Sequence, residues 1–278
     1  SAISFLRVNA NNSVSVLNAA DFRTAIGAGT GNGTVTSIAT GNGISYGTIT
    51  TTGTLGLTGQ ALALHNLSSS GIIARTGKGT VAARTITDGT GITVTNGNGV
   101  SGNPTIAAKT YTIGDFAHGG SVFWVDATGQ HGLVCAKTDQ STGVRWYAGT
   151  YGTTRALGDG PLSGQANTSI IIAAQVAIGD DGNTYAARIC NELQITEGGK
   201  TYGDWYLPSK HELNLMYDNR IAINISATAR GGSSFASANY WSSTEFSKYY
   251  AWIQTFGSGG QSGSIKSNTA YVRAVRAF

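Results

Sequence analysis

The sequence predicts two parts of different class: a β-rich N-terminal part built from Gly/Thr repeats, and an α+β C-terminal part with two helices and an antiparallel sheet. Three observations carry this. All five tryptophans (124, 146, 205, 241, 252) follow residue 110, and only Phe5, Phe22 and Tyr46 represent the aromatics before it. Large aromatics supply much of the area in a compact core, so the N-terminal part has little with which to build one of its own. Sixteen glycines fall between 31 and 108, in a pattern that recurs. Beyond 110, alternating strands and a capped helix start replace the repeats. The division is 1–30, a short helical and linker segment; 31–109, the repeats; and 110–278, the α+β part.

Composition bounds the function. Of the 278 residues 12% are charged and 40 are glycine, which excludes helix-rich and coiled-coil classes. The net charge of +4 comes without a Lys/Arg cluster or stripe, so no nucleic-acid binding is expected. A run of about 18 apolar residues is missing, so no membrane insertion is expected either. The opening "SAISFLRVNA" lacks a Met and the layout of a signal peptide, and reads as a piece of a longer protein.

Taken in order, "VLNAADFRTAIGAGTG" (16–31) reads as a short helix, with Asn18 as its cap, Ala20, Phe22 and Ile26 as its apolar face, and Gly27 as its stop. "GNGISYGTITTTGTLGL" (41–57) and "GTGITVTNGNGVSGNPTIAA" (89–108) share a Gly-x-Gly-Ile turn, a Thr/Val-rich stretch, a second turn and a short strand. Such short strands cannot bury both faces within one chain, so a neighbouring copy is expected to supply the missing surface. "SVFWVDATGQHGLVCAK" reads as a hairpin presenting Phe123, Val125, Leu133 and Cys135 to one or both faces of a sheet. The first C-terminal helix is "TYAARICNEL". The second starts at Lys210, after a capping box of Ser209 and Glu212, with Leu213, Met216 and Tyr217 inward. "NYWSSTE", "YAWIQTF" and "AYVRAVRAF" then close a sheet. Cys135 and Cys190 fit one disulfide or two buried thiols; Cys190 shares a helical face with Ala186, Ile189 and Leu193, which favours the thiol.

The repeats, with "LNAADFRTAIGAGTG" and "GIIARTGKGTVAARTITDGTGITVTNGNGVSGNPTI", resemble those of bacteriophage tail fibres over about residues 15–108. That likeness implies an elongated, fibrous shaft, an intertwined parallel homotrimer that ends in a receptor-binding head and joins other tail proteins through an N-terminal part. Collagen is excluded by three prolines and no Gly period of three. In the C-terminal part, "GDWYLPSKHEL", "YWSSTE", "AW" and the terminal "VRAVRAF" look like the C-type-lectin fold. More narrowly, the part is similar to collagen-like-adhesin C-terminal domains and to the variable proteins of diversity-generating retroelements. In those variable proteins a reverse-transcriptase system rewrites codons of the last segment, leaving a fixed scaffold beneath a diversified ligand-binding surface.

Carried over by position, the scaffold comprises Trp205, Trp241, Trp252 and Phe256, with Tyr240, Ser242, Ser243, Thr244, Glu245, Ala251, Gln254, Val272, Arg273, Val275 and Arg276. The ligand-binding surface comprises Phe246, Ser247, Tyr249, Tyr250, Ile253, Thr255, Ser262, Ser264, Ile265, Ser267, Asn268 and Tyr271. Tyr and Ser are the types that paratopes favour, pairing rigid amphipathic area with adaptable hydrogen bonding. The resemblance implies a virion tail fibre that adsorbs to a host bacterial surface receptor, protein or glycan. The alternatives are a bacterial cell-surface adhesin with the same head, and a glycan hydrolase of tailspike type.

Catalysis is not expected. The 14 carboxylates are scattered rather than paired, as a glycosidase would need. Histidines 65, 118, 131 and 211 have no triad pattern, and no cysteine follows Cys190, where formylglycine-generating enzymes of related fold carry theirs. No cofactor or metal is expected: "IGDDGNTY" (178–185) offers oxygens without calcium-loop spacing, and reads as a turn that caps the following helix through Thr184.

Overall fold

The computed structural model describes residues 5–27, 44–46 and 55–278, and divides at 107/108 into two compact units. Residues 41–43 and 47–54 of the first repeat lie outside the described residues.

In the N-terminal unit, β1 (Phe5–Val8) and β2 (Val14–Leu17) form an antiparallel hairpin. It leads into α1 (Ala19–Ala25), capped by Asn18, whose side chain accepts from the Ala20 and Asp21 N–H groups at 2.9 and 2.8 Å. Phe22 stacks on Phe5 with ring centroids 3.8 Å apart. The two repeats each form a strand pair, β3 (Ile44–Tyr46) with β4 (Leu55–Leu57), and further along β7 (Ile92–Thr95) with β8 (Thr105–Ala108). Between them stand α2 (Gly59–His65) and the hairpin of β5 (Ile72–Gly77) and β6 (Thr80–Arg84). The helix α2 interrupts what the sequence presents as unbroken β-repeat, and Gln60 Nε2 holds it to the hairpin by donating to Gly77 O at 2.8 Å. Among the described residues of this unit, Leu17 is the one buried apolar side chain. The described residues of this unit thus form no core cluster of buried apolar side chains.

The C-terminal unit has two sheets. One is antiparallel, in the order β19 (Val275–Ala277), β11 (Gly132–Cys135), β10 (Gly120–Val125), β9 (Phe116–Ala117). The other is mixed, in the order β12 (Ser141–Val144), β18 (Ala270–Val272), β15 (Asn239–Glu245), β16 (Tyr250–Thr255), β17 (Gln261–Ile265), with β15 and β18 parallel. A hairpin of β13 (Ile195–Glu197) and β14 (Lys200–Tyr202) stands apart. Alternation along β10 and β11 buries both faces of the first sheet. Val122 and Val134 join one core cluster with Trp146, Ile171, Cys190, Trp205, Trp241 and Val272. Phe123, Leu133 and Cys135 join a second with Met216, Ile223, Tyr240 and Phe256. Both cysteines are buried free thiols, and burial pushes the Cys135 thiol up to about 12.

Four helices, not two, pack on these sheets: α3 (Ser163–Ile178), α4 (Ala186–Asn191), α5 (Lys210–Asp218) and α6 (Arg220–Thr228). The longest, α3, carries apolar residues around its circumference instead of on one stripe, so it lacks a helical period. Its Gly164 sits where a Cβ would lie 2.7 Å from Leu207 O, and this lets the helix seat against the 207–209 turn. The expected cap Thr184 is not one: Tyr185 occupies the N-cap of α4 and makes no side-chain capping bond. The expected terminal strand is two, since β18 and β19 lie in different sheets. Between them the buried Arg273 guanidinium donates to Asp139 at 2.7 Å and to Ser233 O at 3.1 Å, which turns the chain from one sheet to the other.

The capping box of α5 forms as the sequence predicts, with Ser209 N–H donating to Glu212 at 2.7 Å and Glu212 N–H donating to Ser209 Oγ at 3.1 Å. Glu212 is buried, and burial pushes its carboxyl from 4.5 up to about 7 despite the hydrogen bonds from Ser209 and Tyr206. Between those values the folded chain keeps a proton that the unfolded chain releases, so stability falls as pH rises through the window. Denaturant unfolding of wild type and Glu212→Gln between about pH 4.5 and about pH 7.5 checks this: the wild type should lose about 2–3 kcal/mol relative to the variant.

Candidate functional site

β15 and β16 form a hairpin whose tip, residues 246–249, stands at one end of the mixed sheet. Directly opposed residues of β16 and β17 share a face, so Tyr250 lies with Ile265 and Trp252 with Gly263. Phe246 folds back over this face. Its ring lies 5.0 Å from Trp252 and 6.3 Å from Tyr250 by centroid, and rests where a Cβ on Gly263 would stand at 3.4 Å. Lys210, at the start of α5, places its ammonium 4.3 Å from the Trp252 ring centre. On the other flank Tyr249 meets Tyr151 edge-on at 5.4 Å, and Tyr151 stacks on Tyr147 at 4.7 Å. The outcome is an aromatic face with Phe246 52% and Tyr249 50% exposed, next to the exposed Tyr250 and Ile265.

Beneath it the chain is fixed by a buried ion pair. Lys266 Nζ donates to Glu245 at 2.5 Å, with the two side chains 0% and 1% exposed. The ammonium also donates to Gly152 O at 3.0 Å and Lys248 O at 3.1 Å, and lies 4.6 Å from the Trp146 ring centre. The Glu245 carboxylate accepts from the Thr154 and Arg155 N–H groups at 2.8 and 3.0 Å. Burial holds the Lys266 ammonium below the usual lysine range, and Glu245 draws it part of the way back. Two tryptophans add a crossed clasp: Trp146 Nε1 donates to Ser242 O and Trp241 Nε1 to Val144 O, both at 2.8 Å. The Arg145 guanidinium lies 5.5 Å from the Tyr147 ring centre, grips Asp181 with two hydrogen bonds and holds that carboxyl well below its usual range.

The expected surface residues do not form one patch. Phe246, Tyr249, Tyr250 and Ile265 come together with the exposed turn residues Ser267 and Asn268. Ser247 Oγ accepts from the Tyr249 and Tyr250 N–H groups at 3.3 Å, shaping the tip. Ser264 is half-buried and Ser262 exposed on edge strand β17. Thr255 and Tyr271 lie at the opposite end of the hairpin, near Asn239. Ile253 departs from the expectation of display: it is 5% exposed and belongs to the core. Trp252 departs the other way, being half-buried on the outer face. Adjacent strand residues point to opposite faces, so Ala251 and Trp252 cannot both face the core. Trp205, Trp241 and Phe256 are buried. Sequence reasoning missed Tyr147, Tyr151 and Lys266; "RWYAGTY" (145–151) held the signal, an aromatic-dense stretch outside any strand pattern. Among the described residues there is no group of three or more His, Cys, Asp or Glu placed to hold a metal ion, and no helix is long and apolar enough to cross a membrane.

A mixed sheet whose one end is fixed by a buried ion pair and two tryptophan hydrogen bonds, beneath an exposed aromatic face, defines an α+β scaffold. The chain belongs to the Lcl C-terminal domain family, whose model matches residues 136–276, just over half of the sequence. Among solved structures it is similar to a fimbrial protein from Bacteroides ovatus ATCC 8483, at 18% identity and a TM-score of 0.40; the likeness covers 56% of this chain and 43% of that one. No curated protein matches it.

Replacing Lys266 with Met strands the Glu245 carboxylate without its counter-charge. Lys266→Met should cost about 3–5 kcal/mol in denaturant unfolding, the scale for breaking one side of a buried pair. A loss below about 1 kcal/mol would show that the pair does not hold this end of the sheet.

Proposed function

We propose that this chain is a surface-presented adhesion protein whose C-terminal unit binds a receptor, protein or glycan, on a bacterial cell through the face of Phe246, Tyr249, Tyr250, Ile265, Tyr147 and Tyr151. The observation that carries this is the exposure of large aromatic side chains above a buried ion pair that is hydrogen-bonded to main chain on both sides. Monomeric proteins seldom leave such clusters uncovered, and a few aromatic anchors carry most of a typical interface's energy. Family membership and the likeness to collagen-like-adhesin C-terminal domains support the adhesive reading. The lectin-like reading of the unit is supported by the return of its last strand to its first hairpin.

Within that reading we favour a phage tail fibre over a bacterial adhesin, with the N-terminal unit as a trimeric shaft outside the cell. The repeats support this, as do the solvent-facing apolar side chains of the first hairpin, among them Leu6 at 70% and Val8 at 69% exposure. Two or more copies wound together would cover these faces. Sedimentation equilibrium of the 278-residue chain should return three times the chain mass; a folded monomer at micromolar concentration would remove the shaft from the proposal.

The adhesive reading is tested by adsorption to bacterial cells and thermal unfolding on the same variants. Phe246→Ala, Tyr249→Ala and Tyr250→Ala should each weaken adsorption by about tenfold or more, with stability within about 0.5 kcal/mol of wild type. Early melting with normal adsorption of the folded fraction would place these rings in a structural role and the receptor elsewhere.

A further inference from the structure

At the end of the β15–β16 hairpin away from the aromatic face, a groove of about 350 Å³ opens between β12, β18 and the start of β15. Asn239 to Glu245 separates the two places by six residues, about 20 Å of extended strand. The groove has a local cause: β12 bulges between Ser141 and Val144, so Thr142 leaves the ladder with β18 and lines the opening instead. The other residues that matter are Ser237, Asn239, Thr255, Thr269 and Tyr271. Every polar group here is a hydroxyl or an amide, and no charged residue lines the groove.

Among the described residues the one side-chain hydrogen bond within the groove is Thr255 Oγ1 to Asn239 Oδ1, at 2.7 Å. That bond orients the amide and leaves Asn239 Nδ2 unused, along with the hydroxyls of Thr142, Ser237, Thr269 and Tyr271. Four hydroxyls that donate or accept, one amide that donates and a half-buried phenol ring meet in a space of small-molecule size. The Tyr271 ring is held at 5.2 Å from the buried Tyr240 ring, and Tyr240 is itself fixed through its hydroxyl to Asp139 at 3.1 Å. A rigid ring beside a fringe of uncharged hydrogen-bonding groups matches a ligand with an apolar C–H face and a rim of hydroxyls.

We infer that this groove is a binding site for a neutral sugar residue, separate from the aromatic face and independent of metal. The uncharged lining selects against sialic acids and sulfated sugars, whose charge would be desolvated there without a partner. With one ring and a handful of neutral hydrogen bonds, a single residue should bind with a dissociation constant on the order of 1 mM.

The test is saturation-transfer NMR on the 278-residue chain, with the methyl glycosides of glucose, galactose, mannose and N-acetylglucosamine and, as the charged comparator, N-acetylneuraminic acid. At least one neutral glycoside should show transfer that EDTA leaves unchanged. Thr142→Val, at an exposed position, and Tyr271→Leu, which removes the ring, should each weaken it by about tenfold, the loss of roughly one good contact. Tyr249→Ala should leave it intact, so failure of the groove and failure of the adhesive face are read separately. The inference is overturned by transfer from no neutral glycoside, by binding of the charged sugar alone, by loss with EDTA, or by binding that survives Thr142→Val unchanged.

Discussion

The buried pair of Lys266 and Glu245 fastens three segments that have little regular structure of their own: the 152–155 turn, the hairpin tip and the turn after β17. Taking two charges out of water is costly, and their attraction offsets that cost only where the remaining donors and acceptors are also satisfied. Here they are, since the ammonium reaches two backbone carbonyls besides the carboxylate, and the carboxylate takes two backbone N–H groups. Each of these bonds is to main chain, so the pair fixes where the backbone runs without using the outward side chains. The path beneath Phe246 and Tyr249 is therefore set by groups other than their own side chains.

The same constraint explains the unusual mixture in the last thirty residues, where core anchors alternate with a Ser/Gly-rich string. The string is not a loose loop. It holds β17, which lies along β16 in five-residue register, and Lys266, which is as buried as any core residue. Small residues suit an edge strand over which a bulky neighbour must fold, and Gly263 under Phe246 is the clearest case.

What could be read in advance was local chemistry with a fixed spacing. Asn18 and Ser209 cap their helices because an oxygen two or three residues before an N–H is a geometric certainty once the helix forms. The scarcity of buried apolar side chains among the described residues of the N-terminal unit goes with its scarcity of aromatics. Long-range choices were not legible. The α3 sequence has no single apolar stripe, because tertiary packing and not its own amphipathicity sets its burial. Ile253 and Trp252 exchange faces relative to expectation because adjacent strand residues must alternate, and because the outer face at Trp252 is covered by Lys210 at the start of a helix 42 residues earlier in the chain. The Arg145 beside Tyr147 is paired with Asp181, 36 residues on, a pairing that no local pattern encodes. The break between β18 and β19 depends on Arg273 finding Asp139 across the fold.

The pairing of β19 with β11 sets an order of events during synthesis. The chain emerges from its N-terminus, so the hairpin of β10 and β11 is made long before the strand that covers its open edge. Phe278 exchanges both backbone hydrogen bonds with Gly132. Until β19 has emerged and paired, the sheet keeps an unpaired edge, and Val275 is missing from the second core cluster. Nascent chains held side by side on one message would present such edges to each other, which is the circumstance in which strands exchange between copies or aggregate. Prompt docking of β19 thus matters more for this fold than for one whose sheet is completed by its early strands.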